Sequence, residues 1–224
     1  MIKNRTTQII FQTIFCTLGV LGVFYSLNIF SGKFNPNFYV YYTHISNYIC
    51  LGLMIACLIR TVRSANKKED GLCNTAPTFT FMSVVLITAT FLVYNILLAS
   101  QNSVYDYFTT ISNLLLHVIL PVMFVLNWVL FYEHGNSKKF WPLLCLIMPL
   151  GYLAFILIRA AIIGGAQNPV IYPYYFLDIG QIGIGGFFMW IGILLVGFLL
   201  ISYIYYLLDK HLKKRIEAKE KQGS

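Results

Sequence analysis

Two apolar stretches of this chain carry hydroxyl, imidazole and amide side chains at helical spacing. Thr43, His44 and Asn47 open one, and Asn113 and His117 lie within another. Tyr39, Thr43 and Asn47 are spaced i, i+4, i+8 and would share one helix face, as would Thr109, Asn113 and His117. Asn28, Asn95 and Arg159 fall at comparable depth near the ends of three further runs, and Asp178 with Gln181 opens the last. A polar or charged side chain in hydrocarbon costs several kcal/mol unless it is paired, so such groups face the bundle interior or a wet cavity. Together they predict one polar pocket in the outer half of a membrane protein.

Each of these groups also has a purely structural reading. Asn28, Asn47, Asn95 and Asn113 could tie helices together, at about 0.6 kcal/mol per hydrogen bond. Arg159 could snorkel to the interface, pair with Asp178 or Asp106, or hold a carboxylate. The tyrosine-rich helix entries fit an interfacial aromatic belt, and Asn127 and Trp128 read as interfacial. His117 lies about 12 Å below Thr109 along the helix axis. It is either a satisfied core residue or a general base. Pro121 removes the backbone donor to the carbonyl of His117 and predicts a bend there. His44 sits at the interface, and His134 and His211 read as solvated.

The elements that must position these groups follow from composition. The chain has 224 residues, 58% of them hydrophobic and 11% charged. That is more apolar surface than a soluble domain of this size can bury, so the expected class is an all-α polytopic membrane protein. Six runs are long enough to span about 30 Å of hydrocarbon: 8–30, 39–60, 77–100, 109–132, 140–163 and 179–208. They form one transmembrane domain over 1–208, followed by a basic tail at 209–224. The first run is too long for a signal-peptide core and lacks a small-residue cleavage site, so it reads as a retained helix.

The spans are organised by a repeat. Tyr39-Val40-Tyr41-Tyr42-Thr43-His44-Ile45-Ser46-Asn47 recurs 66 residues later as Tyr105-Asp106-Tyr107-Phe108-Thr109-Thr110-Ile111-Ser112-Asn113. A fainter copy, Tyr172 to Asp178, follows after a further 67 residues. Three helical hairpins of one design are expected. In the register this repeat implies, Leu51 is level with His117 and Thr43 lies about 12 Å above it.

Lys3, Arg5, Arg60, Arg63, Lys67, Lys68, Lys138, Lys139 and the basic tail fall on one side, and Lys33 on the other. This asymmetry predicts cytoplasmic termini and outer loops at 31–38, 101–108 and 164–178. The net charge of +8 is therefore topological. It points to anionic lipid headgroups as partners rather than to nucleic acid. Cys16, Cys50, Cys57, Cys73 and Cys145 are odd in number and show no metal-ligand spacing, so neither a disulfide framework nor a metal site is expected. The glycines Gly164, Gly165, Gly180, Gly183, Gly185 and Gly186 read as turn and packing residues rather than phosphate binders.

The six-span layout resembles one family through short motifs. These are Thr43 early in helix two, Asn113-Leu-Leu-Leu-His117 followed by Leu120-Pro121, and Tyr172-Pro173 with Asp178-Ile179-Gly180 before helix six. The family is that of the androgen-induced membrane hydrolases and their bacterial relatives. The resemblance implies an intramembrane threonine nucleophile with a histidine, acting on fatty-acid esters of hydroxy fatty acids without metal or organic cofactor. It implies a bacterial plasma membrane as the location. Carried over by position, Thr43 matches the nucleophile and His117 the base. Here Pro121 follows the histidine one residue sooner after it than in the family, and Asn47 lies four residues after Thr43 instead of three. Aligning on Asn47 puts His44 at the nucleophile position instead.

Two classes of function follow. In a hydrolase, an amphiphilic ester would be attacked by Thr43 with His117 as base, and Asn47, Asn113 or Arg159 would donate to the oxyanion. In a binding or transport protein, the same pocket, with His44, Asn95, Arg159 and Asp178 among its polar groups, would hold a small amphiphile or a carboxylate. The small-residue face of helix six leaves an assembly role open, and oligomeric state is not encoded legibly.

Overall fold

The computed structural model describes residues 4–67, 75–98, 110–163 and 170–222. Six helices are long and apolar enough to cross a membrane, the architecture of a multi-pass membrane protein: α1 Arg5–Ser26, α2 Tyr42–Asn66, α3 Pro77–Leu98, α4 Ile111–Phe131, α5 Trp141–Ile163 and α6 Ile179–Gln222. No strand occurs among the described residues. The first half of the second motif copy, with Asp106 and Thr109, lies outside them, as do Lys68, Cys73, Gly164 and Gly165.

Local chemistry sets the helix ends. Asn4 caps α1 by accepting the Thr7 N–H at 3.1 Å, so the helix starts three residues before the expected 8. It stops at Ser26 because Asn28 takes a left-handed conformation (φ 57°), which asparagine tolerates better than most residues. Asn28 is thus a turn residue ahead of a short 3₁₀ turn at Ile29–Ser31, and not part of a polar helix end. Helix α2 begins at Tyr42, so Tyr39 lies in the preceding turns and does not share a helical face with Thr43. At its other end α2 runs past the expected 60 to Asn66.

Three helices are irregular where the sequence offers a cause. Helix α4 widens into a π turn at Leu115–Ile119, just before Pro121, whose missing N–H leaves a carbonyl unbonded one turn earlier. Helix α5 is interrupted at 145–146, four residues before Pro149. Helix α6 bends at Gly183 (φ 69°, ψ 166°), a conformation essentially reserved for glycine. Helix α3 also ends in a π turn, Tyr94–Leu98, for which the sequence gives no comparable reason.

Helix α3 is the packing centre. Its Phe81, Val84, Val85, Ile87 and Ala89 are all but inaccessible and meet Phe15 of α1, Met54 of α2, Phe124 and Trp128 of α4 and Trp141 of α5. A second cluster, Val40, Ile156, Phe176, Leu177 and Phe187, packs the entry to α2 against α5 and the chain before α6. Asn127 and Trp128 are core residues rather than interfacial ones: Gln12 Nε2 donates to Asn127 Oδ1 at 3.3 Å, and Trp128 is buried. Close approach fixes α1 against its neighbours, since a Cβ on Gly19 would stand 2.6 Å from Leu51 Cδ1.

The basic end of the bundle is held by a polar clamp. Asp209 of α6 is buried and accepts from the loop joining α4 to α5: Gly135 N at 2.9 Å, Ser137 N at 3.1 Å, Ser137 Oγ at 2.5 Å and His134 Nδ1 at 3.1 Å. The next residue, Lys210, donates to the carbonyls of Gly135 and Ser137 at 2.8 and 2.6 Å. His134 is therefore buried and bonded, not solvated, and Lys210 is engaged with protein instead of lipid. With this docking and a Lys213–Glu217 pair at 3.8 Å, α6 continues as one helix to Gln222, through most of the expected tail.

Candidate functional site

At the other end of the bundle lies a cavity between α2, α3, α5, α6 and the chain before α6. It admits the centres of water-sized bodies over about 70 Å³, room for a few waters or a slender ligand segment. Its wall is apolar (Val93, Leu98, Leu153, Leu177, Leu194, Phe198) except for the hydroxyls of Tyr42, Thr43, Thr90, Tyr152 and Tyr174, with the Tyr94 ring completing it.

Thr43 enters this wall because α2 starts at Tyr42, which puts Thr43 in the first turn facing α3 and α6. Tyr174, from the third motif copy, supplies what Tyr41 cannot as N-cap. Its hydroxyl accepts the Tyr42 N–H at 3.0 Å and lies beside the hydroxyl and N–H of Thr43. Burial pushes the Tyr174 phenol up to about 12, so it stays neutral and retains a proton to donate. Tyr152 donates to the carbonyl of Val40 at 2.8 Å. Among the described residues the buried Tyr42 hydroxyl has no partner, a costly state for a group in a largely apolar wall.

Below Thr43 the polar groups are chained together. Ser46 Oγ donates to the Thr43 carbonyl at 2.9 Å and receives Thr90 Oγ1 at 3.0 Å, joining α2 to α3. Asn47 Nδ2 donates to the carbonyls of Thr43 at 2.8 Å and Leu116 at 3.0 Å, joining α2 to α4. Asn95 Nδ2 donates to Phe91 O at 2.7 Å and to His117 O at 3.4 Å, the carbonyl that Pro121 leaves without its helical donor. His117 stacks face to face on Tyr94 with centroids 3.3 Å apart, and its Nδ1 has no partner. Both members of this stack sit in π turns.

The structure thus brings Asn47, Asn95 and His117 together and leaves Thr43 one step away. The repeat register put Leu51 level with His117, but Asn47 is the residue beside Leu116, while Leu51 packs on Gly19 of α1. Helix α2 is displaced by about one turn, which reduces the axial offset of Thr43 from His117 from about 12 Å to about 7.5 Å. No hydrogen bond joins Thr43 to His117 among the described residues; Tyr94 lies between the imidazole and the cavity. His44 does not line the cavity. Its Nδ1 meets the Phe38 carbonyl at 2.9 Å, and its ring packs between Tyr41 and Tyr48.

Asn113 is half-buried and outside the lining. Asp178 caps α6, with Oδ1 accepting the Gln181 N–H at 3.2 Å, and does not pair with Arg159. Arg159 is buried about two turns beyond Tyr152 on the inward face of α5, outside the cavity lining, its Nη1 donating to the carbonyls of Val170 and Ile171. Cys16, Cys50, Cys57 and Cys145 are free thiols, and the described residues hold no cluster able to ligate a metal.

Reasoning from sequence missed Tyr42, Thr90, Tyr94, Tyr152 and Tyr174. A signal existed for two of them: Ser83, Thr90 and Tyr94 are spaced i, i+7, i+11 and put one polar stripe on α3. The tyrosines were hidden by their resemblance to an aromatic belt. Compared with known protein families, with characterised proteins and with solved structures, the chain finds no match.

Proposed function

We propose that the protein binds an amphiphile whose acyl chain fills the cavity and whose polar atoms meet the hydroxyls of Tyr42 and Thr43. The observation that carries this is the buried Tyr42 hydroxyl, unpartnered among the described residues, in a largely apolar wall whose other hydroxyls at Thr90, Tyr152 and Tyr174 are already engaged. A slender chain satisfies that wall, and one oxygen on it satisfies the hydroxyl. The layout supports placing the ligand in the outer leaflet, with both termini in the cytoplasm by the distribution of lysine and arginine. The three motif copies fit three related hairpins. Displacement of a fluorescent fatty-acid ester from purified protein tests the binding. Leu194→Trp fills the cavity and is expected to weaken binding at least tenfold, whereas Tyr42→Phe weakens it about fivefold, the worth of one hydrogen bond near 1 kcal/mol. Absence of saturable binding to folded wild-type protein overturns the reading.

The position of Thr43 favours a second reading that extends the first, a threonine-dependent hydrolase of lipid esters as the family resemblance implies. Thr43 is an aliphatic hydroxyl in the cavity wall, in the first turn of α2. There its Oγ1 would attack the ester carbonyl and pass its proton to His117 through water once the Tyr94 ring between them swings aside, the offset of about 7.5 Å being too long for direct contact. The alkoxide leaves with that proton, and water then releases the acyl group from Thr43. A fluorophosphonate adduct on Thr43, lost in Thr43→Ala and His117→Ala but kept in His44→Ala, is the expected result. Folded wild-type protein that binds the ester without labelling or turnover restricts the function to binding.

A further inference from the structure

Arg159 marks a second site about two turns along α5 from the cavity residue Tyr152, at the edge of a separate groove. Its side chain is buried (7% exposed), and no carboxylate pairs with it among the described residues. Nη1 is fixed by the carbonyls of Val170 at 2.8 Å and Ile171 at 3.1 Å, and the ring of Tyr39 lies 5.8 Å from the guanidinium carbon. Nε and Nη2 have no partner among the described residues. These two nitrogens share one edge of the planar group, the edge that takes both oxygens of a single carboxylate or phosphate. A guanidinium is never neutral in a protein, so in an apolar span its countercharge must come from elsewhere.

The surface beside it is built for an acyl chain. Arg159 borders an open groove whose wall includes Tyr39, Gly151, Ala154, Phe155, Ile158 and Ile162. Gly151, which has no side chain, and the small Ala154 leave it open, while Ile158 and Ile162 stand 60% and 77% exposed along it. The same exposed face continues along α5 to Leu150 and Ile147, about 22 Å of apolar track from Ile162.

We propose that this groove binds an anionic phospholipid, its phosphate held by Nε and Nη2 of Arg159 and one acyl chain lying along the Ile147–Ile162 face of α5. The site is independent of the cavity reading, because Tyr152 and Leu153 face the cavity while Ala154 and Ile158 face the groove. Two features of the side chain set the specificity. The charge selects an anion, and the free edge favours two oxygens on one centre over a lone acceptor. Tyr39, half-exposed above the guanidinium, is the side chain that must move to admit the headgroup.

Native mass spectrometry of the intact protein, released from detergent and titrated with phosphatidylglycerol, phosphatidylcholine or palmitate, tests the proposal. Wild type is expected to keep one phosphatidylglycerol through a delipidation that strips phosphatidylcholine. Arg159→Gln should retain at least fivefold less, and Arg159→Lys an intermediate amount, since lysine restores charge without the fork. Ala154→Trp, on the exposed face, blocks the groove without touching the charge and should also lose the lipid, which keeps the test decisive if Arg159→Gln fails to fold. Tyr42→Phe should leave the adduct unchanged. Equal retention by wild type and both Arg159→Lys and Ala154→Trp overturns the proposal, as does binding of palmitate in preference to phosphatidylglycerol.

Discussion

The two ends of this bundle differ in how densely their buried polar groups are bonded. At the basic end, Asp209 receives three N–H or O–H donors and a histidine nitrogen, and Lys210 returns two bonds to the same loop. Toward the other end, the Tyr42 hydroxyl, Asn47 Oδ1, His117 Nδ1 and two nitrogens of Arg159 are buried without partners among the described residues, whereas near the basic end Gln12 Oε1 and Trp128 Nε1 are scattered exceptions outside the clamp. Buried polar groups are almost always bonded, because the desolvation cost of an unsatisfied one is about 1–3 kcal/mol. A satisfied network therefore reads as a fastener, and an unsatisfied group in the wall of a cavity or groove, as Tyr42 and Arg159 have, reads as a place that receives something.

Removing Asp209 should produce the largest effect on stability. Asp209→Ala strands His134, Ser137 and the Gly135 N–H together, at about 3–5 kcal/mol, as when one partner of a buried pair is lost. The readout is thermal unfolding in detergent by near-ultraviolet circular dichroism. An unfolding temperature equal to that of wild type would remove the clamp from the account. Asn47→Leu comes next, since it cuts the bond from α2 to α4 and should cost about 2 kcal/mol. Gly135→Ala follows at about 1–2 kcal/mol: its φ of 95° strains an L-residue, and a Cβ there would collide with the Lys213 side chain.

Much of this contrast was written in the sequence, though unevenly. The six spans were legible because apolar length is a property of the linear chain, and so was the gathering of Asn47, Asn95 and His117 toward one end of the bundle, because polar residues inside apolar runs stand out. The clamp was not, because Asp209 lies 75 residues from His134 and looks like the start of a charged tail. The slide of α2 by one turn was invisible too. It depends on a π turn in α4 and on Gly19 admitting Leu51, neither of which a repeat register encodes. Tyr174 capping α2 from 132 residues away is a third case, since a tyrosine at a membrane interface has an ordinary explanation that conceals a specific one.

The smallest stability effects are expected where the groups are unpartnered. Tyr42→Phe and His117→Phe each remove an unsatisfied polar atom while keeping an aromatic ring, so stability should stay within about 0.5 kcal/mol of wild type or rise. Ligand binding should fall with Tyr42→Phe all the same. A loss above 2 kcal/mol in either variant would mean that the group is already satisfied in the folded protein, and the contrast between the two ends would disappear.

The cavity's role is tested most directly by photocrosslinking a diazirine-bearing fatty-acid ester to the purified wild-type protein in lipid nanodiscs, then mapping the adducts by peptide mass spectrometry. The account predicts adducts concentrated on Leu153, Leu194 and Phe198 in the cavity wall, competed by unlabelled ester and lost in Leu194→Trp. Adducts confined to exposed side chains of α6 such as Ile193, Leu200 and Ile204, unaffected by competitor, would contradict it.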